Sequence, residues 1–218
     1  MIVSPSLLAA DKNNLPFEAM KMKDAGATYI HIDIMDGKFV PATTWDHHVV
    51  EELSSHTHGL VLDTHLMIED PISYVDNFIG AGSNVVTVHL EAFKSKEEAI
   101  VCLRHIREKG VVPGISIKPL TPVESLLPYL KEVGLVLVMS VEPGKGGQAF
   151  MPSSLEKIAF LSHKKKELHL DYLIEVDGGI NGDTGLLCAK NGVEILVAGS
   201  YLYGKEDYKQ RLEALLSL

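Results

Sequence analysis

The chain has 218 residues, of which 46% are hydrophobic and 22% charged, and its formal net charge is −9. That length suffices for one large core, and an acidic balance without any basic block argues against a nucleic-acid partner. Its two cysteines, Cys102 and Cys188, lie far apart in helical patterns, which rules against a disulfide scaffold or a thiolate zinc site, and no apolar run is long enough for a membrane span.

In chain order, short apolar runs alternate with amphipathic stretches. Strands are expected at Ile2–Pro5, Tyr29–Ile34, Val61–Leu66, Val85–His89, Val112–Ile117, Leu135–Val141, Leu173–Asp177 and Ile195–Ala198. Helices are expected at Leu15–Asp24, His48–Ser54, Tyr74–Ala81, Lys96–Lys109, Val123–Tyr129, Ser153–Leu168, Asp183–Lys190 and Asp207–Leu216. Gly26, Gly82, Gly110, Gly134 and Gly192 sit where helix-ending glycines belong. Lys164, Lys165 and Lys166 have Glu167 beside them and read as a solvated helix face. The first expected strand begins at Ile2 with no targeting pattern before it, so the reading is a cytoplasmic protein.

Strands this apolar are parallel and covered on both faces. Eight such βα units without a composition break lead to the expectation of one closed (β/α)8 TIM barrel, α/β in class, as a single domain over 1–218. The open doubly wound sheet is disfavoured because "SPSLLAAD", after the first strand, lacks the glycine-rich fingerprint.

A barrel gathers its chemistry at the C-terminal ends of its strands, and strand residues two apart share a face. In "HIDIM", His31, Asp33 and Met35 therefore share one face, leaving Ile30, Ile32 and Ile34 for the layer beneath the helices. In "LDTHLM", Asp63, His65 and Met67 share a face; in "LIEVDGG", Leu173, Glu175 and Asp177 do. Three strands thus bring His31, Asp33, His65 and Asp177 to one height, a set of two imidazoles and two carboxylates that suits one divalent metal ion. Zinc fits this donor set best, with iron, manganese or cobalt admissible. Asp36 reads as a turn residue, His89 as a core or rim histidine, and the remaining histidines as surface groups. Met35, Met67 and Met139 end three strands and form an apolar, polarisable cap over a reacting carbon.

Three glycine-bearing loops are suited to holding a phosphate through backbone N–H groups. They contain Gly144, Gly146 and Gly147 with Lys145 among them, then Gly178-Gly179, then Gly199-Ser200. A cation beside two carboxylates and a phosphate cradle implies a small phosphorylated ketone. Asp33 and Asp177, from well-separated strands, would remove and return a proton on opposite faces of one carbon, which is an epimerisation.

Taken together, "SPSLLAAD", "HIDIMDGKFVP", "DTHLM", "TVHLEA", "SVEPGKGGQAF", "EVDGGIN" and "VAGSYLY" resemble the ordered motifs of ribulose-phosphate 3-epimerases across essentially the whole chain. The resemblance implies a barrel of the ribulose-phosphate-binding type that interconverts D-ribulose 5-phosphate and D-xylulose 5-phosphate in the pentose phosphate pathway. It implies metal ligation by His31, Asp33, His65 and Asp177, with Asp33 and Asp177 as the acid/base pair. It adds Ser6 as a substrate hydrogen-bonding residue, and it implies a homo-oligomer, dimer or hexamer. Two places depart from the family pattern: Ala42 with "TTWDHH" after the second strand, where Trp45 and Asp46 would reshape the sugar pocket, and Lys145, where a large apolar residue is usual. Alternative readings are 3-epimerisation of another ketose phosphate such as allulose 6-phosphate, a lyase or decarboxylase using Lys118, and a non-catalytic phosphosugar-binding barrel.

Overall fold

Pairing order shows at once how the chain closes. The computed structural model describes residues 1–218. It contains β1 (Ile2–Pro5), β2 (Tyr29–Met35), β3 (Val61–Met67), β4 (Val85–His89), β5 (Val112–Ile117), β6 (Leu135–Met139), β7 (Leu173–Asp177) and β8 (Ile195–Ala198). Their order is β1-β8-β7-β6-β5-β4-β3-β2, every pair parallel. The last gap, between β1 and β2, is spanned by a parallel bridge from Ser6 to His31. Eight parallel strands alternating with helices make the expected barrel.

The helices are α1 (Leu15–Asp24), α2 (His47–His56), α3 (Pro71–Gly80), α4 (Lys96–Glu108), α5 (Ser154–Glu167), α6 (Gly182–Lys190) and α7 (Tyr208–Leu216). There are seven α-helices where eight were expected. The stretch expected as a helix over Val123–Tyr129 is only a 3-10 turn at Val123–Leu126. Pro128 explains the loss, because inside a helix it would remove a donor and clash with the preceding turn. Gly134 accordingly follows no helix; its N–H donates to the Pro113 carbonyl, and it has no left-handed φ, unlike Gly26, Gly82, Gly110 and Gly192. α2 and α3 begin earlier than expected because Asp46 accepts from the His48 N–H and Asp70 from the Ser73 N–H, with Pro71 in the first turn.

Alternation sorts the side chains as expected. Ile30, Ile32 and Ile34 belong to the main core between sheet and helices, whereas a second cluster of Val85, Leu135, Leu137, Met139, Val141 and Ile195 fills the barrel interior. β6 ends at Met139, two residues early, because Ser140 turns to bond the next strand end. Its N–H donates to the Asp177 carbonyl, and its hydroxyl reaches the Asp177 and Gly178 carbonyls at 2.8 and 2.7 Å.

Candidate active site at the barrel mouth

Register carries the four expected donors to one place. Parallel pairing sets His31 beside Asp63, Asp33 beside His65, and Met35 beside Met67, while Met139 neighbours Asp177. One donor atom from each of His31, Asp33, His65 and Asp177 lies within 4.8 Å of the others. His31, Asp33 and His65 are buried, and Asp177 is partly open at the top of β7.

Hydrogen bonds aim these groups. The Ser6 hydroxyl, at the end of β1, donates to Asp33 Oδ2 at 2.7 Å and also caps the following 3-10 turn at the Leu8 N–H. Thr44 donates to the Asp33 carbonyl and accepts from the Met35 N–H, so the loop after β2 ties down the end of its own strand. His31 Nδ1 donates to Asp63 Oδ2 at 2.6 Å, and the same oxygen accepts from the Ser4 hydroxyl. That leaves His31 Nε2 buried and without a hydrogen-bond partner, 3.4 Å from Asp33 Oδ1. His65 Nδ1 lies 3.3 Å from the same Asp33 oxygen.

The electrostatics are lopsided. Burial would raise the Asp33 carboxyl, but the charge of His31 and the close approach of the His31 and His65 rings outweigh it and hold it well below the usual range. Asp63 is lowered in the same way, His31 again overcoming burial. Asp177 has no such donor; burial, then the negative charge of Asp33, push it up to about 7. Glu175, beneath it, is raised well above its ordinary value by burial and by Asp63, and neither of its oxygens is bonded. His31 is raised despite burial because Asp63 and Asp33 favour its charged form. A cluster this rich in buried carboxyls, with an unpartnered imidazole nitrogen aimed into it, fits a divalent cation in charge and in donor type. A cation would take the place of the His31 proton.

Above the cluster opens a cavity of about 1050 Å³. Ser6, Asp33, Met35, Met67, Met139, Asp177 and all the expected loop residues line it: Gly144, Lys145, Gly146, Gly147, Gly178, Gly179, Gly199 and Ser200. His31 and His65 lie beneath its floor, fully buried. The N–H groups of Gly178, Gly179, Gly199 and Ser200 have no acceptor in the protein, so two adjacent loops lining the cavity offer four free donors to an anion. Left-handed φ values of +124° and +64° permit the Gly178-Gly179 turn, where side chains would meet Val141 and the backbone of Phe150.

Other expectations fare differently. Met35 and Met67 pack together with Val40, whereas Met139 packs into the barrel interior. Asp36 is a turn residue, accepting from the Lys38, Phe39 and Glu69 N–H groups. Trp45 and Asp46 do not reach the main cavity; they line a smaller neighbouring one with Lys12 and His48, because Asp46 is committed to capping α2. Lys118 is likewise absent from the main cavity, its Nζ lying 4.0 Å over the Phe39 ring. Sequence reasoning gave no role to Asp63, Glu175, Ser140, His89 or Glu91. Strand alternation had put Asp63 and Glu175 on the inward face, and that signal was available for both.

Comparison with known proteins bears on this geometry. The model of the "Ribulose-phosphate 3 epimerase family" matches residues 2–203. A ribulose-phosphate 3-epimerase of Bacillus subtilis is 41% identical over 214 residues, covering 98% of this chain and 97% of that one. A cytoplasmic isoform from Oryza sativa subsp. japonica is 41% identical over 216 residues, covering 98% of this chain and 92% of that one. Among solved structures, 3-keto-L-gulonate-6-phosphate decarboxylase from Vibrio cholerae superposes with a TM-score of 0.73 at 16% identity, over 100% of this chain and 95% of that one, a likeness of fold.

Proposed function

Because the chain belongs to the ribulose-phosphate 3-epimerase family, and is thus an isomerase acting on carbohydrates, we propose that its barrel mouth inverts C3 of D-ribulose 5-phosphate to give D-xylulose 5-phosphate. The observation that carries this reading is the convergence of His31, Asp33, His65 and Asp177 beneath one cavity, with donor atoms inside 4.8 Å. His31, Asp33, His65 and Asp177 would hold one divalent ion per subunit, zinc by donor chemistry, which supplies Lewis-acid polarisation of the substrate's ketone and hydroxyl oxygens.

The protein's own groups account for the remaining steps. Unbonded N–H groups of Gly178, Gly179, Gly199 and Ser200 bind the phosphate, and Gly144, Lys145, Gly146 and Gly147 border the same cavity. Anchored there, the sugar lays its C2–C3 edge over the two aspartates. Asp33 and Asp177 come from β2 and β7 and address C3 from opposite sides, one taking the proton while the other returns one to the opposite face. Ser6 orients Asp33 through its 2.7 Å hydrogen bond to Oδ2, which keeps Oδ1 turned toward His31 Nε2 and His65 Nδ1. Met35, Met67 and Met139 give the reacting carbon an apolar, polarisable surface that excludes water. Cytoplasmic location, a place in the pentose phosphate pathway and homo-oligomeric assembly follow the same family reading.

The test is proton exchange in heavy water. The C3 hydrogen of ribulose 5-phosphate is expected to wash out with the metal-loaded protein, and washout is expected to stop after chelation or in Asp177→Asn. Washout at the wild-type rate in Asp177→Asn would show that two carboxylates are not at work. A clear kinetic preference for allulose 6-phosphate would move the substrate to a hexulose phosphate.

A further inference from the structure

His89 ends β4 fully buried, two residues before Glu91, and neither belongs to the four-donor cluster. Its Nε2 lies 2.9 Å from His65 Nε2. The rings are 29° from coplanar with centroids 5.0 Å apart, so they meet nitrogen to nitrogen and do not lie face on. On its other side His89 Nδ1 lies 3.1 Å from Glu91 Oε2. Glu91 in turn accepts through Oε1 from the Lys118 N–H, at 2.7 Å, and from the Thr121 hydroxyl. Phe39 closes over His89 with ring centroids 4.8 Å apart.

Hydrogen-bond polarity propagates along this row. A carboxylate only accepts, so the Glu91 side of His89 must carry the proton on Nδ1. A neutral imidazole with its proton on Nδ1 presents a lone pair at Nε2. The single proton between the two Nε2 atoms then belongs to His65, and His65 Nδ1 is left with its lone pair facing Asp33. Both rings are fully buried, which disfavours a second proton on either.

We propose that His89 and Glu91 are positioning residues for the cation: Glu91 sets the tautomer of His89, His89 sets that of His65, and His65 Nδ1 is thereby kept as a metal donor. His31 reaches the same end by a shorter route, its Nδ1 donating directly to Asp63. The two ligand imidazoles thus use opposite nitrogens, Nε2 of His31 and Nδ1 of His65, each fixed by a carboxylate, buried Asp63 directly and half-buried Glu91 through a second ring. The inference rests on the cation reading given above and adds the groups that orient one of its donors.

Two measurements on the metal-free and zinc-titrated protein test it. Nitrogen-15 correlation spectra of the metal-free wild type are expected to show His65 as the Nε2–H tautomer, and His89→Leu, which deletes the acceptor, to lose that signature. Zinc affinity from competition with a chromophoric chelator is expected to fall about 10–100-fold in His89→Leu. His89→Gln, whose amide oxygen can accept from His65, is expected to recover most of that loss. Finding His65 as the Nδ1–H tautomer in the wild type overturns the relay without recourse to any variant. Wild-type affinity in a folded His89→Leu also overturns it, provided His31→Ala loses zinc as expected. If the wild type takes up no zinc, or His31→Ala binds it unchanged, the cation reading itself fails.

Discussion

Gly179→Ala probes the joint between the two loops that border the proposed phosphate site. Gly179 has a φ of +64°, a left-handed conformation that costs an alanine about 1–2 kcal/mol. A Cβ there would stand 2.5 Å from the Phe150 nitrogen, 2.8 Å from its Cα and 2.9 Å from the Gln148 carbonyl oxygen. All three are backbone atoms, so no side-chain rotation relieves the contact, and the segment after β6 must move away, at a further ~1–3 kcal/mol. Gly147 provides the control. Its φ is +71°, but nothing lies within 4 Å of the Cβ position, so Gly147→Ala incurs the conformational cost alone. Thermal unfolding followed by circular dichroism should therefore rank Gly179→Ala below Gly147→Ala by about 1–3 kcal/mol, or roughly 2–12 °C in a chain of this size. Because the displaced segment lines the cavity, KM for ribulose 5-phosphate should rise in Gly179→Ala. Equal melting temperatures for the two variants, with KM unchanged, would mean that the 148–150 backbone does not press on Gly179.

Two further outcomes follow from buried contacts. Ser140→Ala removes the hydroxyl that reaches the Asp177 and Gly178 carbonyls; the Gly178 carbonyl loses this partner, stability falls by about 1–2 kcal/mol, and kcat drops as the end of β7 loosens. Unchanged kcat would separate Ser140 from the placement of Asp177. For Glu91, burial raises the carboxyl, but hydrogen bonds from His89 and Thr121 outweigh it and bring it from 4.5 to about 2. Such a group stabilises the fold above about pH 4.5, by about 3 kcal/mol, and loses that contribution as pH falls toward 2. Melting temperatures measured from pH 6 to pH 2 should fall more steeply in the wild type than in Glu91→Gln, and parallel slopes would refute this.

Much of the site was legible before any coordinates. The alternation that separates Ile30, Ile32 and Ile34 from His31, Asp33 and Met35 is a local property of an extended chain. The four donors follow from it once the fold is a barrel, whereas the three glycine loops are legible from their glycines after the sixth, seventh and eighth strands. The expected helix over Val123–Tyr129 failed because the breaking effect of Pro128 outweighed the apolar pattern. Trp45 and Asp46 were assigned to the sugar pocket on nearness to a strand end, yet Asp46 is spent on the first turn of α2 and Trp45 packs against the outer core.

The sequence by itself determined the eight-fold alternation, the inward faces of the strands, and the residue types offered at their ends, since each depends only on neighbours two to four positions apart. Tertiary structure alone decided which inward groups meet. Inter-strand register put Asp63 beneath His31, joined His65 to His89 across β3 and β4, and raised Asp177 by setting it near Asp33 without a donor of its own. Register and closure are collective properties of a sheet wrapped on itself, and a shift of one residue in one strand would redistribute every such pair.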